Sequence, residues 1–195
     1  ESVIDQFLEK FLKAMRKLKT GNPAKEQTDV GPLILPEEAT RVEKWVLDAE
    51  FEGGKILAGG QSISNVSYQP TLILNPATYS SVSSEEVFGP VVAVMPVATL
   101  DEALDIADNT IYALTGGLYS RSPQNIARVR HEMRVGNLYI NRKITGAVVD
   151  RQPFGGARMS GVGSKAGGPD YLLQFLVPRT ITESVMRRGF APTED

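Results

Sequence analysis

The sequence contains no cysteine among its 195 residues. This absence excludes disulfides, thiolate metal ligands and a cysteine nucleophile within the chain. Histidine is nearly absent as well, because His131 is the only one and lies in a charged stretch with helical character. Transition-metal sites need several such ligands. We therefore predict no metal site and interpret His131 as a surface residue.

The sequence also lacks an excess of positive charge and a long apolar run. Lys and Arg number 21 against 23 Asp and Glu, which gives a net charge of −2 and argues against a nucleic-acid-binding surface. No stretch has the length of apolar sequence that crosses a bilayer, and we recognise no signal peptide. We expect a cytoplasmic protein, or one of the mitochondrial matrix in a eukaryote. Because Glu1 opens an apolar-faced helix, we also expect the sequence to start within a domain.

Helices and strands alternate along the chain. Apolar spacing and capping residues predict helices over residues 2–19, 37–49, 100–109 and 123–134. Short apolar or β-branched runs predict strands at 56–58, 68–74, 91–97, 114–120 and 137–141, and residues 171–177 fit either a helix or a strand. This alternation predicts an α/β fold with a mostly parallel sheet and flanking helices.

The segment from residue 142 to 169 is a glycine-rich loop, and loops of this length inside a compact domain are usually functional. Its run from Gly161 to Gly167 lacks the spacing and the preceding strand of a dinucleotide-binding fingerprint, so we reject that interpretation. The glycines at 155–156 and 161 indicate close backbone approach or positive φ angles. A purely structural loop explains them equally well.

An acidic and aromatic turn at residues 85–90 precedes the strand predicted at 91–97. The carboxylate of Glu86 could accept hydrogen bonds from two ribose hydroxyls, and the ring of Phe88 could pack on a flat heteroaromatic ring. An ordinary turn with a solvated pair of glutamates is the alternative. Spacing alone favours this alternative.

Several motifs in order nevertheless resemble the aldehyde dehydrogenase superfamily. They are Glu86-Val87-Phe88-Gly89-Pro90, Asn141, Pro153-Phe154-Gly155-Gly156 and Met159-Ser160-Gly161, and the likeness extends over nearly the whole chain. Within the superfamily, Thr145-Gly146-Ala147-Val148-Val149 and Gly167-Gly168-Pro169-Asp170-Tyr171 are similar to the 1-pyrroline-5-carboxylate dehydrogenases. Those enzymes oxidise L-glutamate γ-semialdehyde to glutamate in proline catabolism.

The resemblance implies NAD as the cofactor, a small aldehyde as the substrate and a role for five residues. Glu86 would hold the nicotinamide ribose, and Phe88 would pack near the nicotinamide. The amides of Gly146 and Ala147 would bind the carboxylate of the substrate. Phe154 would form an aromatic wall of the aldehyde tunnel.

The resemblance also implies a division of the chain. Residues 1–177 would be the C-terminal part of a catalytic α/β domain, residues 178–187 an oligomerisation strand of a homo-oligomer, and residues 188–195 a polar tail. The catalytic cysteine, the glutamate that activates water and the nucleotide-binding domain are expected upstream of Glu1. No catalytic residue is therefore expected in this chain, and we predict that it is inactive alone.

Two other interpretations stay open. The chain could belong to an aldehyde dehydrogenase with a different substrate, which residues 145–149 and 154 would distinguish because a carboxylated substrate needs small residues and free amides there. It could instead be a non-catalytic assembly or interaction module. The absence of cysteine fits that module as well as it fits part of an enzyme.

Overall fold

The computed structural model describes residues 1–184. Its α-helices are α1 (Ile4–Met15), α2 (Pro36–Phe51), α3 (Ser81–Ser84), α4 (Leu100–Asp108) and α5 (Pro123–Glu132), followed by a 3-10 helix at Tyr171–Phe175. Its strands are β1 (Lys55–Ala58), β2 (Thr71–Leu74), β3 (Val91–Val94), β4 (Tyr112–Ala113), β5 (Thr115–Leu118), β6 (Asn137–Ile140) and β7 (Ala157–Arg158).

Helices α4 and α5 begin directly after the capping residues predicted from the sequence, Thr99 and Ser122. The Thr99 hydroxyl accepts a hydrogen bond from the Glu102 amide at 3.2 Å, and the Glu102 carboxylate accepts one from the Ala98 amide at 2.8 Å. At α5, the Ser122 hydroxyl accepts from the Asn125 amide at 3.3 Å. These bonds satisfy amides that have no partner within the helix, which explains where both helices start.

The main core lies between α2 and the sheet formed by β1, β2 and β3. Val42, Val46 and Ala49 are spaced along one face of α2 and are fully buried. They form one cluster with Tyr68 and Ile73 from the sheet side. This core places the N-terminal half of α2 beside the turn that leads into β3.

The α/β class is confirmed, although the strands pair in both directions. β2 pairs with β3 in parallel, as does β5 with β6, whereas β1–β2 and β4–β7 are antiparallel. Both parallel pairs are connected through a helix, α3 or α5, as a crossover requires. β1 and β2 are joined by a loop without a helix, which explains their antiparallel pairing.

The structure differs from the predicted elements at both ends of the chain. The first helix ends at Met15 rather than near residue 19. The strand predicted over residues 178–187 is absent from 178–184, where no described strand offers a backbone partner, and residues 185–187 lie outside the described residues. The polar tail predicted at 188–195 also lies outside them. The oligomerisation role of this segment therefore stays a prediction.

Within residues 1–184, no helix combines the length and apolar character that crossing a membrane requires. No group of three or more His, Cys, Asp or Glu side chains in this part of the chain is arranged to hold a metal ion.

Candidate functional site

The acidic and aromatic turn connects α3 to β3 and is fixed at its base. The Pro90 carbonyl accepts a hydrogen bond from the Thr71 amide at 2.8 Å, which joins the turn to the start of β2. A Cβ atom added at Gly89 would lie 3.0 Å from the Val42 side chain, so the turn packs closely on α2. The sheet and α2 thus determine the position of this turn.

Glu86 lies on a cleft of about 540 Å³ between this turn and the second half of the chain. The cleft is also lined by Ala107, Thr110, Tyr112, Ala113, Leu114, Thr115, Met133, Val135, Met159 and Ser160. Two of the motifs found in the sequence, the turn at 85–90 and Met159-Ser160, therefore meet at one cleft. Among the described residues, Phe88, Gly146, Ala147 and Phe154 do not line it.

Backbone contacts hold Met159 and Ser160 against the cleft. The Ser160 hydroxyl accepts a hydrogen bond from the Ala113 amide at 3.0 Å, and the Met159 amide donates to the Ile111 carbonyl at 3.0 Å. Next to them, the Arg158 guanidinium donates to the Thr110 carbonyl at 2.7 Å. The glycine-rich loop is thereby tied to the strand β4.

The electrostatic character of the cleft is negative. The Tyr112 hydroxyl donates a hydrogen bond to the Glu85 carboxylate at 3.4 Å. Partial desolvation raises the pKa of Tyr112, and the negative charges of Glu85 and Glu86 raise it further. Within residues 1–184, the Glu86 carboxylate has no hydrogen-bond or ion-pair partner. It is exposed and free to accept hydrogen bonds from a ligand.

Phe88 has a backbone conformation that few side chains adopt. Its φ angle is 49°, in the left-handed region, which costs an L-residue other than glycine roughly 1–2 kcal/mol. The ring is 73% exposed, so packing of the ring does not offset this cost. Strain of this kind, with an aromatic ring held in solvent, is typical of ligand-binding turns.

Gly146 and Ala147 lie in an open, irregular stretch of the glycine-rich loop. Gly146 has a φ angle of 81°, and no heavy atom lies within 4 Å of the position that a Cβ would take. Within residues 1–184, neither backbone amide donates a hydrogen bond to a protein acceptor. Two adjacent small residues thus leave free N–H groups, as in anion-binding concavities of the backbone.

The side chain of Gln152 connects this stretch to Arg142 by hydrogen bonds. With its amide oriented to satisfy both neighbours, the nitrogen donates to the Gly146 carbonyl at 3.3 Å and the oxygen accepts from Arg142 at 2.7 Å. The guanidinium of Arg142 in turn lies 5.2 Å from the ring centroid of Tyr139, a cation–π distance. The stretch around Gly146 is therefore connected to β6 through Gln152, Arg142 and Tyr139.

Phe154 is held by pairing of its backbone. Its amide and carbonyl form reciprocal hydrogen bonds of 3.0 Å with Ala166, and its ring is 37% exposed. The Asn137 side chain donates to the Pro153 carbonyl at 2.9 Å and accepts from the Gly155 amide at 3.2 Å. A side chain at Gly136 would collide with the Gly155 carbonyl. Of the glycines singled out in the sequence, Gly156 is required by the close approach of Ser160, and Gly161 has a φ angle of 156°.

Asn141 has a structural role that the sequence alone did not reveal. Its φ angle is 54°, which asparagine tolerates better than most residues. Its side chain accepts from the Ser120 amide at 2.8 Å and donates to the Ser120 carbonyl at 2.9 Å. It therefore joins the ends of β5 and β6. An asparagine directly after a strand was the signal available for this role.

Two comparisons of the sequence with known proteins identify the family of the chain. The model of the aldehyde dehydrogenase family matches residues 1–181. The chain is 40% identical over 185 residues to 1-pyrroline-5-carboxylate dehydrogenase of Geobacillus thermodenitrificans, and 41% identical over 186 residues to the enzyme of that name from Bacillus subtilis. Each match covers 94% of this chain and 36% of the relative, so the chain spans about a third of the length of these relatives.

Solved structures give the same result. A 1-pyrroline-5-carboxylate dehydrogenase from Thermus with bound NAD superposes with a TM-score of 0.83 at 39% identity, covering 89% of this chain and 34% of that one. Proline utilization A from Bdellovibrio bacteriovorus, inactivated by N-propargylglycine, gives 0.87 at 44% identity and covers 100% of this chain and 20% of that one. Since the family match, the sequence identity and the superposition agree, this chain belongs to the aldehyde dehydrogenase family.

Proposed function

We propose that this chain is the C-terminal part of an NAD-dependent dehydrogenase that oxidises L-glutamate γ-semialdehyde, formed from 1-pyrroline-5-carboxylate, to glutamate in proline catabolism. The observation that carries the proposal is the pair of free, adjacent amides at Gly146 and Ala147. The curated relatives at about 40% identity, which are named 1-pyrroline-5-carboxylate dehydrogenase, support it.

The cofactor half of the proposal rests on Glu86 and Phe88. The Glu86 carboxylate is exposed and has no partner within residues 1–184, so it can accept two hydrogen bonds from ribose hydroxyls. The negative charge of Glu86 on the cleft suits the positive charge of an oxidised nicotinamide ring. The exposed ring of Phe88 offers a flat surface beside it. When bound, NAD supplies the acceptor for the hydride that leaves the substrate.

The substrate half rests on Gly146, Ala147 and Phe154. Glutamate γ-semialdehyde carries a carboxylate at the end remote from its aldehyde group. The free amides of Gly146 and Ala147 can donate to that carboxylate, and the absence of bulky side chains leaves room for it. The ring of Phe154 would line the aliphatic part of the substrate.

The covalent chemistry needs a group that this chain does not contain. Aldehyde oxidation in this family proceeds through a thiolate nucleophile, as the resemblance implies, and the sequence has no cysteine. The proposed contribution of the chain is to hold the cofactor ribose and the carboxylate end of the substrate. Nucleophile and general base would come from the rest of the longer enzyme.

A substitution at Glu86 tests the cofactor role. In the full-length enzyme that contains this chain, Glu86→Gln is expected to lower kcat/KM for NAD by on the order of tenfold. The physical reason is that hydrogen bonds to a charged group contribute about 1.5–3 kcal/mol and the amide is a weaker acceptor. Steady-state kinetics with varied NAD measures the effect.

Glu85→Gln is the matched control. It removes the same charge from the neighbouring residue, which bonds Tyr112 and does not line the cleft with Glu86. We expect kcat/KM for NAD to change much less in this variant. Equal effects of both substitutions would mean that only the summed negative charge affects NAD binding. Glu86 would then be a solvated residue of an ordinary turn.

A further inference from the structure

We infer that Arg41, on α2, is a positioning residue that fixes the turn at residues 86–88 for cofactor binding. Its Nη2 atom donates a hydrogen bond to the Val87 carbonyl at 2.7 Å. This contact joins residues 46 positions apart in the sequence and attaches the turn to the main core helix. The inference rests on the cofactor role proposed for Glu86 and Phe88.

The guanidinium of Arg41 is itself held in place by two neighbours on α2. Its Nε and Nη2 atoms donate to one carboxylate oxygen of Glu38 at 2.9 and 2.6 Å. Its Cζ atom lies 4.2 Å from the ring centroid of Trp45, which packs against the main core. Since a charge-assisted pair and an aromatic face both restrict it, the guanidinium presents its remaining donors in one direction.

Arg41 bonds the carbonyl of the peptide that directly precedes Phe88. The Val87 carbonyl belongs to the planar peptide between Val87 and Phe88, and the φ angle of Phe88, which is 49°, describes the orientation of Phe88 relative to that plane. The Phe88 ring is 73% exposed and the Glu86 carboxylate has no partner within residues 1–184, so neither side chain stabilises this conformation. The turn is anchored at Pro90 and through packing of the Val87 side chain on the main core, and the Val87 carbonyl is the further point at which a side chain bonds the peptide next to Phe88.

Lysine cannot replace arginine in this arrangement. The guanidinium of Arg41 lies over the ring of Trp45, its Nε and Nη2 atoms pair with Glu38, and Nη2 also reaches the Val87 carbonyl. A planar guanidinium does this with several fixed donors, whereas an ammonium group is a point charge on a flexible chain. The inference therefore predicts that Arg41→Lys loosens the turn even though it keeps the positive charge.

The same helix offers a matched control. Lys44 and Asp48 form an exposed ion pair of 2.5 Å, four residues apart on α2, and neither has a hydrogen bond to the turn at 86–88. Lys44→Gln thus removes a cation and an ion pair from α2 without touching the turn. If Arg41 only stabilised the helix, the two substitutions would have the same effect.

The first experiment measures backbone order in the 195-residue chain by ¹⁵N NMR relaxation. Order parameters at Val87 and Phe88 are expected to fall from about 0.85 to below about 0.6 in Arg41→Gln and Arg41→Lys, and to stay unchanged in Lys44→Gln. Fluorescence of Trp45, the only tryptophan, reports the loss of the stacked cation in the same samples. Circular dichroism checks that each variant is folded. If Arg41→Gln does not fold, the comparison of Arg41→Lys with Lys44→Gln decides the outcome. Unchanged order at both residues would overturn the inference.

The second experiment separates this inference from the proposed function. In the full-length enzyme, Arg41→Gln is expected to raise KM for NAD on the order of fivefold or more, with a much smaller change in kcat. Loss of order together with an unchanged KM would support the positioning by Arg41 and contradict the cofactor role of the turn. A raised KM without loss of order would overturn the positioning and leave the cofactor role standing.

Discussion

At the scale of single residues, Tyr68 carries a polar group that the fold leaves without a partner. Its side chain is fully buried, and its hydroxyl has no hydrogen-bond partner within residues 1–184. The nearby Thr71 hydroxyl donates instead to the Gln69 carbonyl at 2.8 Å. Desolvation by burial, with the negative charge of Glu43, raises the pKa of Tyr68 to about 12.

This raised pKa predicts how stability depends on pH. An unfolded tyrosine ionises near pH 10, whereas Tyr68 in the folded chain stays protonated to about pH 12. Since the folded state then binds more protons than the unfolded state, the stabilisation is fully present below pH 10 and is lost as the pH rises towards 12.

The Tyr68→Phe variant should therefore lose less free energy of unfolding than the original chain when the pH is raised from 9 to 11.5. At neutral pH we expect the free energy of unfolding to be unchanged or higher by up to about 1 kcal/mol, because a buried hydroxyl without a partner is removed. Urea unfolding of both chains at the two pH values measures the difference. An equal or larger alkaline loss in the variant would contradict the raised pKa of Tyr68. Destabilisation by several kcal/mol at neutral pH would show that the hydroxyl has a partner.

Residue roles in the site were only partly accessible from the sequence. Spacing alone favoured a solvated turn at Glu86, and only the family resemblance assigned it to a cofactor. The cleft that joins Glu86 to Met159 and Ser160 depends on tertiary packing across more than 70 residues. The contact of Arg41 with Val87 depends on the same packing, so no local pattern could reveal it.

At the scale of elements, local signals predicted what local interactions determine. Pro36, a proline in the first helical turn, located α2, and hydroxyl caps located the starts of α4 and α5. The strands β4 and β7 were missed because each has two residues and exists only by pairing Tyr112 with Arg158 and Ala113 with Ala157. The first helix was predicted too long because its apolar pattern continues beyond the last turn that the backbone forms.

The predicted strand at 178–187 gives a test at this scale. Residues 180–184 alternate in character after Pro178, and an unpaired strand of this kind can pair with another subunit. Deleting residues 179–195 from the full-length enzyme is expected to lower its oligomeric state. Light scattering compares the two proteins at the same concentration. The same molar mass per assembly after deletion would remove the oligomerisation role.

At the scale of the whole molecule, the chain is expected to have no dehydrogenase activity by itself. Thioester chemistry needs a thiolate, and the only sulfur atoms are the thioethers of five methionines. The purified chain is assayed with NAD and a range of aldehydes, including glutamate γ-semialdehyde. NADH formation that depends on this chain would contradict the proposed mechanism, whereas its absence also fits a non-catalytic interaction module.

Binding of the carboxylate of glutamate γ-semialdehyde would distinguish the enzyme from that module and from dehydrogenases of other substrates. Ala147→Leu in the full-length enzyme tests this binding, because a larger side chain beside Gly146 is expected to obstruct the amides that are free in the structure. Butanal has no carboxylate and makes no such contact. It therefore serves as the matched substrate control on the same preparation, with folding checked by circular dichroism.

Ala147→Leu is expected to lower kcat/KM for glutamate γ-semialdehyde by on the order of tenfold or more, about 1.4 kcal/mol of transition-state binding, with a much smaller loss for butanal. An equal loss with both substrates would mean that residues 145–149 only support the structure, and it would contradict the substrate assignment.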